Sequence, residues 1–223
     1  MNIFAIDTTT KFLCLGIYDD GKIYEYNLEV GKKLSALISV AIQRVLESLK
    51  WKAGDIDYFA CGVGPGSFTG MRVGVATIKG LSLATQKPVI GVPTLDIIAG
   101  NAPETDKPIV TAVDAKRNLM YCSVYKKSQG CIKRLKPYML LSEMEFFKTA
   151  RPGSIILGDA INVYKGAMQA QIKGAAILDR DYWYPRPRNI ITLALEKIKN
   201  NKLSDAFSIN PIYLYPKECQ VRK

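Results

Sequence analysis

The residues in this sequence that could carry chemistry are two aspartates, each placed directly after an apolar run. Asp7 follows residues 3–6 and precedes Thr8 and Thr9, and Asp114 follows residues 109–113. Apolar runs of this length are typical of buried strands. A carboxylate at the end of such a strand can hold Mg²⁺ through water, and it can also cap a tight turn. The sequence leaves both interpretations open.

A glycine-rich segment at residues 61–72 is the most distinctive stretch of the chain. Three glycines alternate with other residues, and Pro65 fixes φ between two of them, which predicts a tight strand-to-helix turn. Ser67 and Thr69 are placed to cap the helix that follows. Such a turn is either purely structural or presents backbone N–H groups to an anion. The spacing fits neither a Walker loop nor a nucleophile elbow.

These features define one candidate nucleotide or anion site, which we interpret as vestigial. Its second half would lie after the apolar run 154–157, where a single glycine precedes a third aspartate. The candidate site comprises Asp7, Thr8, Thr9, Gly64, Gly66, Ser67, Asp114, Gly158 and Asp159.

An internal repeat indicates how the chain positions these residues. Residues 3–28 predict a three-stranded meander, and a second one begins at residue 109, with its third strand starting at Cys131. Asp7 precedes Tyr18 by 11 positions, and Asp114 precedes Tyr125 by 11. A duplication of this kind predicts two related lobes, 1–103 and 104–223, divided at the polar segment 100–107.

Two broadly apolar helices are predicted at residues 34–49 and 71–85. The second carries apolar and small residues on every side, so it is either a central helix under a sheet or a helix with a partner on its outer face. We favour the partner. The predicted partner-binding residues are Leu34, Leu37, Ile38, Ala41, Ile42, Val45, Met71, Arg72, Val75, Ala76, Ile78 and Lys79.

Composition excludes several function classes. The chain has 223 residues and no histidine, so it cannot supply a Ser-His-Asp triad or a histidine-bound metal. Its five cysteines, without a CxxC pair, predict reduced and mostly buried thiols. Neither a signal peptide nor a membrane span is expected, and the predicted localisation is cytoplasmic. The formal net charge of +11 is compatible with a nucleic-acid partner.

Two lobes that each begin with a meander and a carboxylate resemble the actin, sugar-kinase and acetate-kinase superfamily. Residues 64–72 (GPGSFTGMR), with residues 6–9 and 211–214, are similar to the bacterial TsaB (YeaZ) family. The resemblance implies an α/β fold of two duplicated ribonuclease H-like lobes, with mixed sheets flanked by helices. Superfamily kinases usually have a glycine-rich adenosine loop where this chain has the single Gly158.

The family resemblance also implies a role. TsaB is the non-catalytic partner of the transferase subunit TsaD, and with the ATPase TsaE they install threonylcarbamoyl on the adenosine next to the anticodon of tRNAs reading codons that start with A. TsaD holds its metal through histidines, and its helices pack against the first two helices of TsaB. The resemblance therefore implies no intrinsic cofactor and tRNA contact through the complex. Whether ATP and Mg²⁺ bind in this chain's own cleft or only in the complex stays open, and so does self-association of the isolated chain, which its broadly apolar helices favour.

Two other functions stay open at this point. A small-molecule phosphotransferase of the same fold would turn over ATP as an isolated chain. A stand-alone RNA-binding protein would bind tRNA without a partner and with a steep salt dependence. An aromatic and basic loop supplies a candidate RNA contact, although ordinary loop packing explains it as well; its residues are Tyr182, Trp183, Tyr184, Arg186 and Arg188.

Overall fold

The computed structural model describes residues 1–216, which form two compact units. The first unit comprises Met1–Ile97 and Pro185–Pro211, and the second comprises Ile98–Tyr184 and the segment that begins at Ile212. The predicted division after residue 103 differs from this arrangement because residues 185–211 return to the first unit. Cys219, the last of the five cysteines, lies outside the described residues.

The first unit contains a five-stranded mixed sheet and four helices. Its strands are β1 (Asn2–Asp7), β2 (Phe12–Asp19), β3 (Lys22–Glu29), β4 (Tyr58–Gly62) and β5 (Val89–Val92). Its helices are α1 (Leu34–Ser48), α2 (Phe68–Thr85), α3 (Thr94–Ala99), which ends in the second unit, and a last helix at Pro187–Lys199. The strand order is β3-β2-β1-β4-β5, with β1, β4 and β5 parallel and the first three strands forming the predicted antiparallel meander.

The second unit contains the other sheet. Its strands are β6 (Ile109–Lys116), β7 (Leu119–Ser128), β8 (Cys131–Arg134), β9 (Met139–Ser142), β10 (Ile155–Leu157) and β11 (Ala176–Ile177). Its helices are α4 (Glu143–Thr149) and α5 (Ile161–Gln171), so the helix at Pro187–Lys199 is α6. The strand order is β11-β10-β6-β7-β8, and β9 pairs with the first half of β7.

The predicted duplication is confirmed by the two strand orders. In each sheet an antiparallel meander continues into two parallel strands, so β3-β2-β1-β4-β5 corresponds to β8-β7-β6-β10-β11. Asp7 pairs with Cys14 at the end of the first hairpin, and Asp114 pairs with Met120 at the end of the second. The predicted α/β class with mixed sheets flanked by helices is likewise confirmed.

The return of α6 to the first unit has a packing reason. Its apolar stripe, which includes Ile190, Ile191 and Ala194, is fully buried against Ile3, Ala5 and other residues of the first sheet. Burying side chains of this size contributes about 1.5–3 kcal/mol each for the isoleucines. The amphipathic pattern of α6 marks which of its faces is buried, but a pattern of this kind does not specify which sheet that face covers.

The cysteine prediction is confirmed for the described residues. Cys14, Cys61 and Cys122 are buried thiols, and Cys131 is an exposed one. Burial raises the pKa of Cys122 to about 12, which keeps that thiol protonated and unreactive. No helix among residues 1–216 is long and apolar enough to cross a membrane.

Candidate functional site

The glycine turn, residues 62–70, joins β4 to α2 and lies against the end of β1. Ser67 is the N-cap of α2, and its Oγ accepts a hydrogen bond from the backbone N–H of Gly70 at 3.2 Å. The backbone N–H of Ser67 donates to the carbonyl oxygen of Thr9 at 2.7 Å. Of the two predicted capping residues, Ser67 is the N-cap and Thr69 lies in the first turn of α2. One backbone N–H of the turn is already used within the chain.

Three glycines of this region are required by the close approach of residues 8 and 9. A Cβ at Gly66 would lie 2.5 Å from the carbonyl oxygen of Thr9, and a Cβ at Gly70 would lie 1.9 Å from that of Thr8. A Cβ at Gly74 would lie 2.3 Å from Thr8 Oγ1, which donates to the carbonyl oxygen of Gly70 at 2.7 Å. Packing against the residues that follow β1 thus accounts for these glycines, and an anion-binding role of Gly66 stays a prediction.

Asp7 is fully buried, and both of its carboxylate oxygens accept hydrogen bonds. Oδ1 accepts from the backbone N–H and the hydroxyl of Thr9, each at 2.8 Å, and Oδ2 accepts from the Thr94 hydroxyl at 3.2 Å. Burial raises the pKa of Asp7 to about 6, although these hydrogen bonds act in the opposite direction. A Cβ at Gly62 would lie 1.9 Å from Oδ2, so the backbone there approaches the carboxylate closely. This geometry favours the turn-capping interpretation.

The predicted residues of the second unit also lie together. The backbone N–H of Asp114 donates to Asp159 Oδ1 at 2.9 Å, and the Lys116 ammonium pairs with Asp114 Oδ2 at 2.5 Å. Burial, with the nearby Asp114 carboxylate as a smaller cause, raises the pKa of Asp159. Gly158 has a φ of +122°, and a Cβ there would lie 2.2 Å from the carbonyl oxygen of Ala112. The one glycine is therefore needed for chain geometry.

The structure groups the nine candidate residues by unit. Those numbered 7 to 67 surround the end of β1, and those numbered 114 to 159 surround the end of β6. Among the described residues, no three His, Cys, Asp or Glu side chains form a cluster that could hold a metal ion.

The twelve predicted partner-binding residues divide into three burial classes. Two are exposed, Arg72 and Ala76, and three are half-buried, Leu37, Val45 and Lys79. The other seven are buried within this chain: Leu34, Ile38, Ala41, Ile42, Met71, Val75 and Ile78. Those seven pack inside this chain, so only the exposed and half-buried members of the predicted set are accessible at its surface.

A groove of about 620 Å³ separates the outer faces of α1 and α2. Ala76 and Gly80 form part of its wall on α2, and Trp51 closes one side beyond the end of α1. Ala76, Gly80 and Leu83 follow i, i+4, i+7 spacing, so they lie along one stripe. Leu83 is 53% exposed. The remaining lining residues are Ser39, Ile42, Gln43, Leu46, Glu47, Thr77 and Leu81.

Comparison with known proteins identifies the family. A family model described as "TsaD: tRNA N6-adenosine threonylcarbamoyltransferase" matches residues 28–207. The chain is 26% identical to the tRNA threonylcarbamoyladenosine biosynthesis protein TsaB of Bacillus subtilis, over 100% of this chain and 97% of that protein. It is 25% identical to the TsaB protein of Escherichia coli, over 96% of this chain and 94% of that protein. The chain belongs to this TsaD-type family, in its TsaB (YeaZ) branch.

Solved structures agree with the TsaB fold. YeaZ from Pseudomonas aeruginosa superimposes with a TM-score of 0.81 at 22% identity, covering 95% of this chain and all of that one. A second Pseudomonas aeruginosa structure, described as similar to YeaZ, gives a TM-score of 0.83 at 22% identity, covering 96% of this chain and 99% of that one. The architecture of the TsaB branch is therefore shared along nearly the whole chain.

The aromatic and basic loop of this TsaB-branch chain is packed into its own units. Trp183 Nε1 donates to the carbonyl oxygen of Leu178 at 2.9 Å, and its ring packs on the core of the second unit. In the first unit, Arg188 forms an ion pair with Glu25. These contacts favour ordinary loop packing over an RNA-binding role for the loop.

Sequence reasoning missed three apolar residues on or beside α1 and α2, of which Val40 and Phe68 are exposed and Trp51 is half-buried beyond the end of α1. Trp51 was not assigned to either helix, yet it lines the groove. Val40 is 44% exposed, and Phe68 is 39% exposed with the Arg72 guanidinium 3.8 Å above its ring. The spacing of the small residues Ala76 and Gly80 on α2 marks the groove wall, but it does not point to these three residues.

Proposed function

We propose that this chain is the non-catalytic subunit that binds TsaD and, with TsaE, supports threonylcarbamoylation of the adenosine next to the anticodon in tRNAs reading codons that start with A. Its relatives in Bacillus subtilis and Escherichia coli are named for tRNA threonylcarbamoyladenosine biosynthesis and match over nearly their full length. In this role the chain works in the cytoplasm, where tRNA is modified.

The division of labour rests on the residues that the chain has. It contains no histidine, so it cannot supply the histidine ligands expected of a TsaD-type metal site. Asp7, the best-placed carboxylate for a cation, has both oxygens occupied by hydrogen bonds from Thr9 and Thr94. We therefore assign no cofactor to the isolated chain, and ATP and Mg²⁺ enter with the complex.

The observation that carries the proposal is the groove between α1 and α2, with the stripe of Ala76, Gly80 and Leu83 beside it. Gly80 has nothing within 4 Å of the position where a Cβ would stand. A helix of TsaD laid along this stripe could approach the backbone closely, because small side chains do not hold it away. A standard interface of this kind buries about 1,600 Å² in total.

The test is light scattering after size exclusion, with this chain alone and mixed with TsaD of the same organism. We expect the wild type to form a heterodimer and Ala76→Glu to fail, since a carboxylate would be buried against apolar groups. Val163→Glu is the matched control, because Val163 is a 62% exposed apolar residue on α5. If the isolated chain forms a homodimer that dissociates when TsaD is added, the homodimer and the heterodimer use the same surface.

Two glycine variants refine the test. Gly80→Ala and Gly166→Ala both lie in helices with open space at the new Cβ, so each is expected to stabilise the isolated chain by about 0.5–1 kcal/mol. Only Gly80→Ala is expected to weaken binding to TsaD. If the wild type forms no complex with TsaD, or if the α5 control fails as Ala76→Glu does, the proposal is wrong.

A further inference from the structure

The β7–β8 hairpin of the second unit carries an unusual concentration of positive charge. Residues 126–136 (KKSQGCIKRLK) contain five Lys or Arg and no Asp or Glu. β7 is buried from Met120 to Tyr125 and largely exposed from Lys126 onwards, so these cations belong to the part of the hairpin that faces solvent. β8 is also the last strand in the order of its sheet, which leaves one of its edges open.

Strand register places two of these cations side by side. Lys126 lies directly opposite Lys133 in the antiparallel pair of β7 and β8, and both are exposed. Like charges at directly opposite positions destabilise a sheet. None of the ion pairs found among residues 1–216 involves Lys126, Lys133 or Lys136. The chain therefore keeps a repulsive pair that a bound anion would neutralise.

The hairpin is held in place by contacts that do not use Lys126, Lys133 or Lys136. The ammonium of Lys127 donates to the carbonyl oxygens of Gly100 and Ala102 at 2.9 and 2.6 Å. At the tip, the backbone N–H of Gly130 donates to a carboxylate oxygen of Glu104 at 2.8 Å. A charged surface fixed in this way loses little conformational entropy when a ligand binds.

An aromatic ring lies beside the charges. The guanidinium of Arg134 stacks over the ring of Tyr138 at 4.1 Å, and Leu135 between them is 53% exposed. Cations that contact phosphates, next to a stacked Arg and ring, are the combination that RNA-binding surfaces use.

We infer that this hairpin is a contact surface for the phosphate backbone of RNA, with Lys126 and Lys133 as its central pair. This inference rests on the proposed function in one respect only, that the RNA is tRNA. It places the RNA contact on the second unit, on residues that take no part in the groove between α1 and α2. One subunit then presents separate surfaces to its protein partner and to its substrate RNA.

The test measures binding of an unmodified tRNA transcript to the full chain, alone and mixed with TsaD, across a salt series. The double variant Lys126→Ala/Lys133→Ala is expected to weaken binding roughly tenfold and to reduce the slope of log K against log salt by about 1.4–1.8, because each lost phosphate contact removes about 0.7–0.9. Its thermal midpoint should be unchanged or higher, since a repulsive pair is removed.

The matched control is Lys165→Ala/Lys173→Ala, which removes the same charge from exposed positions of the same unit. If the control weakens tRNA binding as much as the hairpin variant, binding follows net charge alone and the inference is wrong. Loss of binding to phosphatidylserine vesicles but not to tRNA would also overturn it. Light scattering with TsaD separates the two proposals, because the hairpin variant should still form the heterodimer. If the wild type forms no heterodimer, tRNA binding by the isolated chain still tests the hairpin.

Discussion

Replacing Asp7 by asparagine should remove a large pH dependence from the stability of the first unit. The pKa of Asp7 is raised by burial from its ordinary value of 3.8 to about 6 in the folded chain. At about 1.36 kcal/mol per pH unit, this difference corresponds to about 3 kcal/mol. Because the folded chain binds the proton more tightly, the stabilisation is fully present below pH 3.8 and is lost as the pH rises through about 6.

Asparagine keeps most of the local geometry and cannot titrate. Its carbonyl oxygen can accept from the two donors of Thr9, and its amide group would face the Thr94 hydroxyl, which now donates to Oδ2. The lost hydrogen bond costs on the order of 1 kcal/mol at every pH. The difference in unfolding free energy between wild type and Asp7→Asn should therefore shift by about 2.5 kcal/mol in favour of the variant between about pH 4 and pH 7.5.

Urea unfolding at a series of pH values measures this difference. Each unit contains one tryptophan, Trp51 in the first and Trp183 in the second. A Trp183→Phe background leaves Trp51 as the reporter for the unit that contains Asp7, which matters because two units need not unfold together. A difference that stays flat across this pH range would refute the reasoning. It would mean that burial does not raise the pKa of Asp7 in the folded chain.

Two further predictions concern the glycine turn and the candidate nucleotide site. Gly70→Ala is expected to destabilise the chain by about 1–3 kcal/mol, because the new Cβ would lie 1.9 Å from the Thr8 carbonyl oxygen. Thermal unfolding beside Gly80→Ala checks this, and equal midpoints for the two variants would contradict it. ATP with Mg²⁺ is not expected to raise the midpoint of the isolated chain. A ligand present at 100 times its Kd would raise the free energy of unfolding by about 2.7 kcal/mol. A clear rise of the midpoint would therefore show that the isolated chain binds the nucleotide.

Local pattern was sufficient to predict α1, α2 and the duplicated meanders. The helix predicted at residues 34–49 is α1 (Leu34–Ser48), and the one predicted at 71–85 begins three residues earlier, at Phe68, because Ser67 caps it. The matching positions of Asp7 and Asp114 revealed the two meanders. These features depend on residues that are close in sequence, where apolar period and capping chemistry act directly.

Contacts between distant residues could not be predicted. A glycine is required at position 70 because a Cβ there would collide with the carbonyl oxygen of Thr8, which lies 62 positions earlier in the chain. The apolar period of α1 and α2 marks buried positions such as Ile38 and Val75, but it does not separate a stripe covered by the chain's own sheet from one left for a partner. The groove and its Trp51 wall depend on how two helices lie side by side, which neither helix specifies alone.

The discontinuous first unit has a consequence for the order of folding during synthesis. The core of that unit includes Ile190 and Ile191 of α6, so it lacks part of its interior until most of the chain has left the ribosome. The core cluster of the second unit lies within the single stretch Ile98–Tyr184. The second unit can therefore complete its core before the first unit does. The first sheet stays partly uncovered until α6 has been synthesised.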